Sequence, residues 1–196
     1  MDEWDRSEAA RAYRNPADPR GLSGFHDDRL CGLRDLLHCA RGASVLDIAM
    51  NHGLVGFQLA RHGAALVHGC DYYEPAVNAA RAIFSELPIP SRFEVVDLAQ
   101  GPAALQAAFA QDYLPRYDIV LFLGIYHKLK QQTSDAVIAG LVHHLIDRTG
   151  RYFAVRSGPP AVLAELGSIV ANNGLHRDHF SALSPVASAV EIWQRR

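Results

Sequence analysis

Lysine is almost missing from this chain: Lys128 and Lys130 are the only two, and the other basic residues are arginines spread along its whole length. With a formal net charge of -2, there is no basic stripe of the kind that grips an extended phosphate backbone, which speaks against a protein built to hold long nucleic acid. Cysteine is scarce too. Cys31, Cys39 and Cys70 are odd in number and form no CxxC, which excludes a disulfide framework and a cysteine zinc site and fits a reducing cytoplasm. No apolar run approaches the ~18 residues that a membrane span needs. The longest candidate, Ile119 to Tyr126, has the length of a buried strand. The opening MDEWDRSEAAR is acidic and polar, unlike a signal peptide, and the chain has no internal repeat or low-complexity tract. Ten histidines invite a metal reading, but only His143-His144 and His176/His179 are closely spaced. Neighbours on a helix diverge by ~100°, and residues three apart on a strand face opposite ways, so no metal site is expected.

What is present is an ordinary globular composition, 49% hydrophobic and 20% charged over 196 residues, enough for one sizeable core. Residues 1–27 are polar and broken by Pro16, Pro19, Gly21 and Gly24. From Asp28 to Ala40 apolar residues recur at Leu30, Leu33, Leu36 and Leu37, which predicts a helix capped by Asp27 or Asp28. From Ser44 the pattern alternates. Strands are expected at 44–49, 65–70, 93–96, 117–123 and 151–156, and helices at 53–62, 74–87, 103–110, 134–146 and 161–172. Residues 175–183 and 187–194 then read as two β segments around a Ser184-Pro185 turn. Five strand–helix units and a terminal hairpin predict a doubly wound, mostly parallel seven-stranded α/β sheet with a C-terminal antiparallel hairpin and helices on both faces. Such sheets bind ligands at the carboxyl ends of the strands, near the switch point. Residues 43–196 form this domain in the reading, and residues 1–42 a helical lid on its substrate side.

The first strand runs into VLDIAMNHGLVGFQLA. Small or turn-tolerant residues at 49, 51 and 53 let the backbone pass close to a ligand, and the amides opening the next helix can hold an anion. A dinucleotide fingerprint GxGxxG would need glycine at 49, 51 and 54, where the chain has Ala49, Asn51 and Leu54. VLDIAMNHG instead resembles the first motif of the class I S-adenosylmethionine-dependent methyltransferases, (V/L)LD(I/L)GxGxG. Asp47 matches its acidic residue, and Ala49, Asn51 and Gly53 fall on its three glycine positions. Only the last glycine is kept, and asparagine is the next best residue for a left-handed backbone. Asp71, in HGCDYYEPAV, falls where the family holds the cofactor ribose, and Asp97, in FEVVDLA, where it often meets the adenine amino group. YDIVLFLGIYHKL looks like the fourth-strand motif bordering the methyl group. The resemblance covers residues 43 to about 156. It implies S-adenosyl-L-methionine as cofactor, S-adenosyl-L-homocysteine as product, and further cofactor contacts from Tyr72, Leu98, Leu123 and Gly124. Taken without the resemblance, Asp71 and Asp97 also read as turn or helix-cap residues.

Methyl transfer is an in-line displacement, and the protein mainly has to align nucleophile, methyl carbon and sulfur. A hydroxyl acceptor also needs its proton removed. His127, directly after the fourth strand, is the candidate base or substrate contact, the alternative being a histidine that caps the turn. Tyr126 is placed at the acceptor cavity or as a buried strand-end residue, with Lys128 and Lys130 at the rim. His52 reads as an exposed loop residue. Arg156, ahead of Ser157-Gly158-Pro159-Pro160, is expected to hold a substrate carboxylate or phosphate or else to be an exposed loop arginine. Tyr13, Phe25 and His26 are the acceptor-side candidates of the first segment. LGIY stands where (N/D/S)PP(Y/F) would mark methylation of planar nitrogens, which disfavours a nucleobase amino group. The expected function is therefore a methyltransferase with a small-molecule acceptor, oxygen favoured. The rivals are a non-catalytic cofactor-binding protein or partner subunit, a tRNA-modifying methyltransferase, and a nucleotide-dependent oxidoreductase.

Overall fold

The computed structural model describes residues 30–181 and 188–196. Tyr13, Phe25, His26, the Asp27 or Asp28 cap and the Ser184-Pro185 turn lie outside the described residues. The elements in order are α1 (Arg34–His38), β1 (Ser44–Ile48), α2 (Leu54–Arg61), β2 (Leu66–Asp71), α3 (Glu74–Phe84) and β3 (Ser91–Val95). A short 3₁₀ turn over Leu98–Gln100 leads to α4 (Pro102–Phe109), β4 (Tyr117–Leu123), α5 (Tyr126–Gln132) and α6 (Asp135–Arg148). β5 (Thr149–Ser157), α7 (Pro160–Asn172), β6 (Leu175–Ser181) and β7 (Ala189–Arg195) complete the chain.

The seven strands form one mixed sheet in the order β3-β2-β1-β4-β5-β7-β6. Neighbours from β3 to β5 pair in parallel, and β7 inserts antiparallel between β5 and β6. The near-continuous apolar runs follow from that arrangement, because a central strand is buried on both faces. Alternate residues enter two separate cores. Leu46, Ile48, Val120, Phe122, Phe153 and Val155 pack with apolar residues of α4 to α7. Val45, Val67, Ile119, Leu121 and Ala154 pack with those of α1 to α3. Helices therefore cover both faces.

Several deep polar groups are satisfied. His68 Nδ1 lies 2.7 Å from the Tyr117 hydroxyl, which also accepts from the Leu114 amide. The buried Glu191 carboxylate accepts from Arg177 and from the Trp193 indole. Such pairing matters because an unmet buried polar atom costs roughly 1–3 kcal/mol.

Two expectations are corrected. β4 ends at Leu123, as expected from 117–123, but Gly124 then turns the chain at φ +73, and Tyr126, read as a strand-end residue, instead opens a helix, α5, that was not expected before residue 134. The uninterrupted apolar run hid the change of period, since Tyr126 and Leu129 are buried at helical spacing. The helix expected from Asp28 to Ala40 is, in the described residues, α1 over Arg34–His38 after a turn at 31–33. Gly32 sits in that turn at φ +76, where a Cβ would come 2.6 Å from Ser181 Cβ. Among the described residues no helix is long and apolar enough to cross a membrane.

β2 carries one glycine that the β1–α2 connection depends on. A Cβ at Gly69 would overlap the sulfur of the buried Met50 and come 3.0 Å from the Phe93 ring. Gly69→Ala should therefore cost about 1–3 kcal/mol in denaturant unfolding. In Met50→Ala protein the same change should cost measurably less, because the sulfur is gone. Equal costs in both backgrounds would show that Met50 does not pack on Gly69.

Candidate active site

From β1 the chain crosses to β2, and from β4 to β5 on the opposite side, so the connections leaving the carboxyl ends of β1 and β4 diverge and open a crevice. The β1 connection lines it. Ala49, Asn51 and Gly53 all adopt left-handed backbone, at φ 56, 55 and 71. An alanine there costs roughly 1–2 kcal/mol, and glycine or asparagine less. Two carboxylates hold the turn. Asp71, the last residue of β2, accepts the Asn51 amide on Oδ2 at 2.9 Å and the Tyr73 amide on Oδ1 at 3.0 Å. Burial pushes its carboxyl up while the Asn51 amide pulls it back. Each oxygen keeps a second lone pair for a ligand hydroxyl. Asp47, buried on β1, accepts the Gly56 amide at 3.2 Å, which brings α2 tight against the sheet. Gly53 does its work inward: a Cβ there would meet Ala80 and Phe84 at 3.4 Å rather than the crevice.

The neighbouring strand ends carry the other expected contacts. Tyr72 is 72% exposed beside Asp71, and Leu98 is buried. Asp97 is exposed and caps the 3₁₀ turn, accepting from the Ala99 amide at 3.0 Å. Its helix-cap role is thus realised, and it keeps acceptor capacity on the solvent side. Leu123 ends β4, and Gly124 leaves open space where a Cβ would stand while donating its amide to the Arg156 carbonyl.

His127 lies in the first turn of α5, half-buried, with Nδ1 buried and without a hydrogen-bond partner. Burial first, then the adjacent Lys128, holds its pKa below the usual 6.5. The ring is therefore uncharged at neutral pH. Asn51 Oδ1 and Ser157 Oγ are likewise buried without partners, so unmet polar atoms stand at the ends of β1 and β5 and just beyond β4. Two candidates have hydrogen-bond partners within the chain. Tyr126 is buried, and its hydroxyl donates to Glu165 Oε1 at 2.9 Å. Arg156 is not an exposed loop residue: it is buried within β5 and donates Nη2 to the Cys31 carbonyl at 2.7 Å. Ser157 and Glu165 were not singled out in the sequence. A serine closing a strand gave no usable signal, and Glu165 is 39 residues from the tyrosine that it binds. The paired histidines sit apart in function: His143 bonds the Ala139 carbonyl, and His144 the Tyr113 hydroxyl.

Asp47 makes one part of the site testable without a ligand. Burial raises its carboxyl from 3.8 to about 7. Between those values the folded protein holds a proton that the unfolded chain has released, so stability falls as pH rises through that window. Asp47→Asn should remove this slope. Measured by denaturant unfolding, the variant should gain on wild type by the order of 1–3 kcal/mol between pH 4 and pH 8. A stability difference that is flat with pH would show that Asp47 does not titrate there.

No family model matches the chain by sequence, and no curated protein does. Solved structures do match. The N-methyltransferase NodS from Bradyrhizobium japonicum WM9 superposes with a TM-score of 0.66 at 12% identity, over 87% of this chain and 96% of that one. The 16S rRNA methylase RmtB gives 0.64 at 16%, over 91% and 68%. A TehB-like SAM-dependent methyltransferase from Corynebacterium glutamicum gives 0.57 at 16%, over 93% and 100%. At these identities the likeness is one of fold, and the fold of this chain is that of the class I S-adenosylmethionine-dependent methyltransferases.

Proposed function

We propose that the chain is an S-adenosylmethionine-dependent methyltransferase with a small-molecule acceptor whose attacking atom is a hydroxyl oxygen. One observation carries this reading. A turn with three left-handed residues, hung from Asp71, opens at the same sheet edge as the partnerless Asn51 Oδ1, His127 Nδ1 and Ser157 Oγ. Buried polar atoms in folded proteins are almost always bonded, so unmet ones gathered at one edge point to ligand contacts.

The residues present fit the cofactor. The left-handed turn brings backbone close to a ligand without side chains in the way, Asn51 Oδ1 supplies an unused acceptor, and Asp71 retains lone pairs for ribose hydroxyls. Asp47 orients the turn through Gly56, while Tyr72, Asp97, Leu98, Leu123 and Gly124 border it at the adjoining strand ends. The bound cofactor supplies an electrophilic methyl group on a sulfonium. The chain supplies alignment, worth up to roughly 7–11 kcal/mol of the barrier, and a proton acceptor. His127 is that acceptor: it takes the hydroxyl proton as the oxygen attacks, and an uncharged imidazole is required for this.

The acceptor class rests on the sequence and the base. The chain lacks both a basic stripe and the planar-nitrogen motif. RmtB, named as an rRNA methylase, has the same fold, so an RNA acceptor is tested by salt: a log–log slope of rate against salt steeper than about -3 would replace the small molecule by RNA. Calorimetry with S-adenosylmethionine, S-adenosylhomocysteine and NAD comes first. Binding of NAD alone overturns the proposal, and cofactor binding without transfer in a labelled-methyl substrate screen leaves a sensor or partner subunit.

Asp71→Ala should weaken S-adenosylmethionine binding by at least ~1.5 kcal/mol, about tenfold, because it removes a charged acceptor and releases the Asn51 amide. An unchanged dissociation constant in a folded variant refutes the assignment. His127→Ala should slow transfer by ~10²–10⁴ and leave cofactor affinity within a few-fold. In wild type the rate should hold at neutral pH and fall only below the lowered histidine pKa, under 6.5. Loss of cofactor binding together with rate would make His127 a structural residue.

A further inference from the structure

Helix α5 carries His127 but has little of its own to hold it in place. It is seven residues long, Ile125 provides no side-chain cap, and a helix of this length is unstable alone. Its anchor comes from another element. Glu165, in the second turn of α7, accepts the Tyr126 hydroxyl on Oε1 at 2.9 Å and the Lys130 ammonium on both oxygens, at 2.6 and 2.7 Å. Tyr126 and Lys130 are four apart, one turn of helix, and His127 lies between them. The ammonium also sits 5.8 Å from the centre of the Tyr126 ring, so the three side chains form one closed group. Lys130 is one of only two lysines in the chain.

We propose that Glu165 is a positioning residue, which clamps α5 to α7 through Tyr126 and Lys130 and so fixes the imidazole of His127 at the carboxyl end of β4. This rests on the reading of His127 as the proton acceptor. A carboxylate that takes three charge-assisted or hydroxyl bonds from one face of a short helix sets both its rotation and its distance. Lys130 and Glu165 are about one-third and nearly one-half exposed, so the pair adds little to stability. Its effect is on geometry. Misplacing a reacting group by an ångström can cost far more in rate than the contact is worth in folding. Lys130 and Tyr126 hold the Glu165 carboxyl below its usual range, so the clamp stays ionised well into the acid limb. The charge beside His127 itself is Lys128, which the clamp does not engage.

The test must leave net charge alone, so that a change at His127 reports geometry and not a new uncompensated charge on its helix. Lys130→Met/Glu165→Met does so and keeps two long stems. It should lower kcat at least about tenfold, with the dissociation constant for S-adenosylmethionine within about twofold of wild type. NMR titration of the His127 ring should move toward 6.5, as a loosened helix lets water reach the imidazole. The charge-swapped Lys130→Glu/Glu165→Lys protein should recover most of both. A folded double variant with wild-type kcat and an unmoved His127 titration overturns the proposal. So does a swapped variant that recovers neither. If wild type transfers no methyl group to any acceptor, the proposed function fails, and the His127 titration alone decides whether the clamp exists.

Discussion

The site depends on one carboxylate, that of Asp71. A parallel sheet ends its strands on a common edge, and nothing in the strands themselves dictates how the chain leaves β1. Here it leaves through three left-handed residues, two of which carry side chains that disfavour that backbone. The Asn51 amide would have no partner in such a turn. Asp71 supplies one from the end of β2 and, with its other oxygen, orders the start of the next connection at Tyr73. The two connections that flank the crevice are thereby tied to one side chain. Burial works against the charge on Asp71, and the amides that it binds offset only part of that penalty. Asp47, one strand over, accepts a single amide, and its deep burial pushes its carboxyl up to about 7.

Polar satisfaction divides the molecule. Beneath the crevice, buried polar side chains are paired: His68 with Tyr117, Thr149 with the Leu145 carbonyl, and Glu191 with Arg177 and Trp193. At the carboxyl edge, Asn51, His127 and Ser157 are not. Packing cannot account for that contrast, since the same two cores run under both regions. Buried polar atoms without a partner are rare, so each of these calls for one, a ligand group or an ordered water.

Much of this was legible in the sequence, for reasons that can be stated residue by residue. Strands buried on both faces leave apolar runs, and turns at their ends carry Gly, Asn and Asp, so the βα alternation survives any local ambiguity. Asn51 was readable as a left-handed position because asparagine tolerates that backbone. The start of α5 was not readable. LFLGIY is apolar throughout, so the strand expected at 117–123 was legible but the helix that opens at Tyr126 was not. The exposed-loop reading of Arg156 came from Gly158-Pro159-Pro160 close behind it, whereas β5 runs on to Ser157, whose pairing with Ala189 of β7 no local pattern reveals. Its bond to Cys31 spans 125 residues, and that of Tyr126 to Glu165 spans 39. Periodicity reports which face of an element is buried, never which distant side chain it meets.

The same distinction separates cofactor from acceptor. The β1 turn, Asp71 and the edge of β3 belong to the half of the sheet on one side of the switch point, and they follow from the fold, which other chains share at 12–16% identity. The proposed acceptor side is the other half: α5 after β4, Ser157 closing β5, and the stretch around Cys31 to which Arg156 donates. Those groups are set by side chains reaching across elements, which change freely without altering the fold. An rRNA methylase and an N-methyltransferase can therefore both superpose on this chain. In the proposed function, acceptor choice turns on how His127 is held and what faces it, and the Tyr126–Lys130–Glu165 group is the part of this chain that we propose holds it.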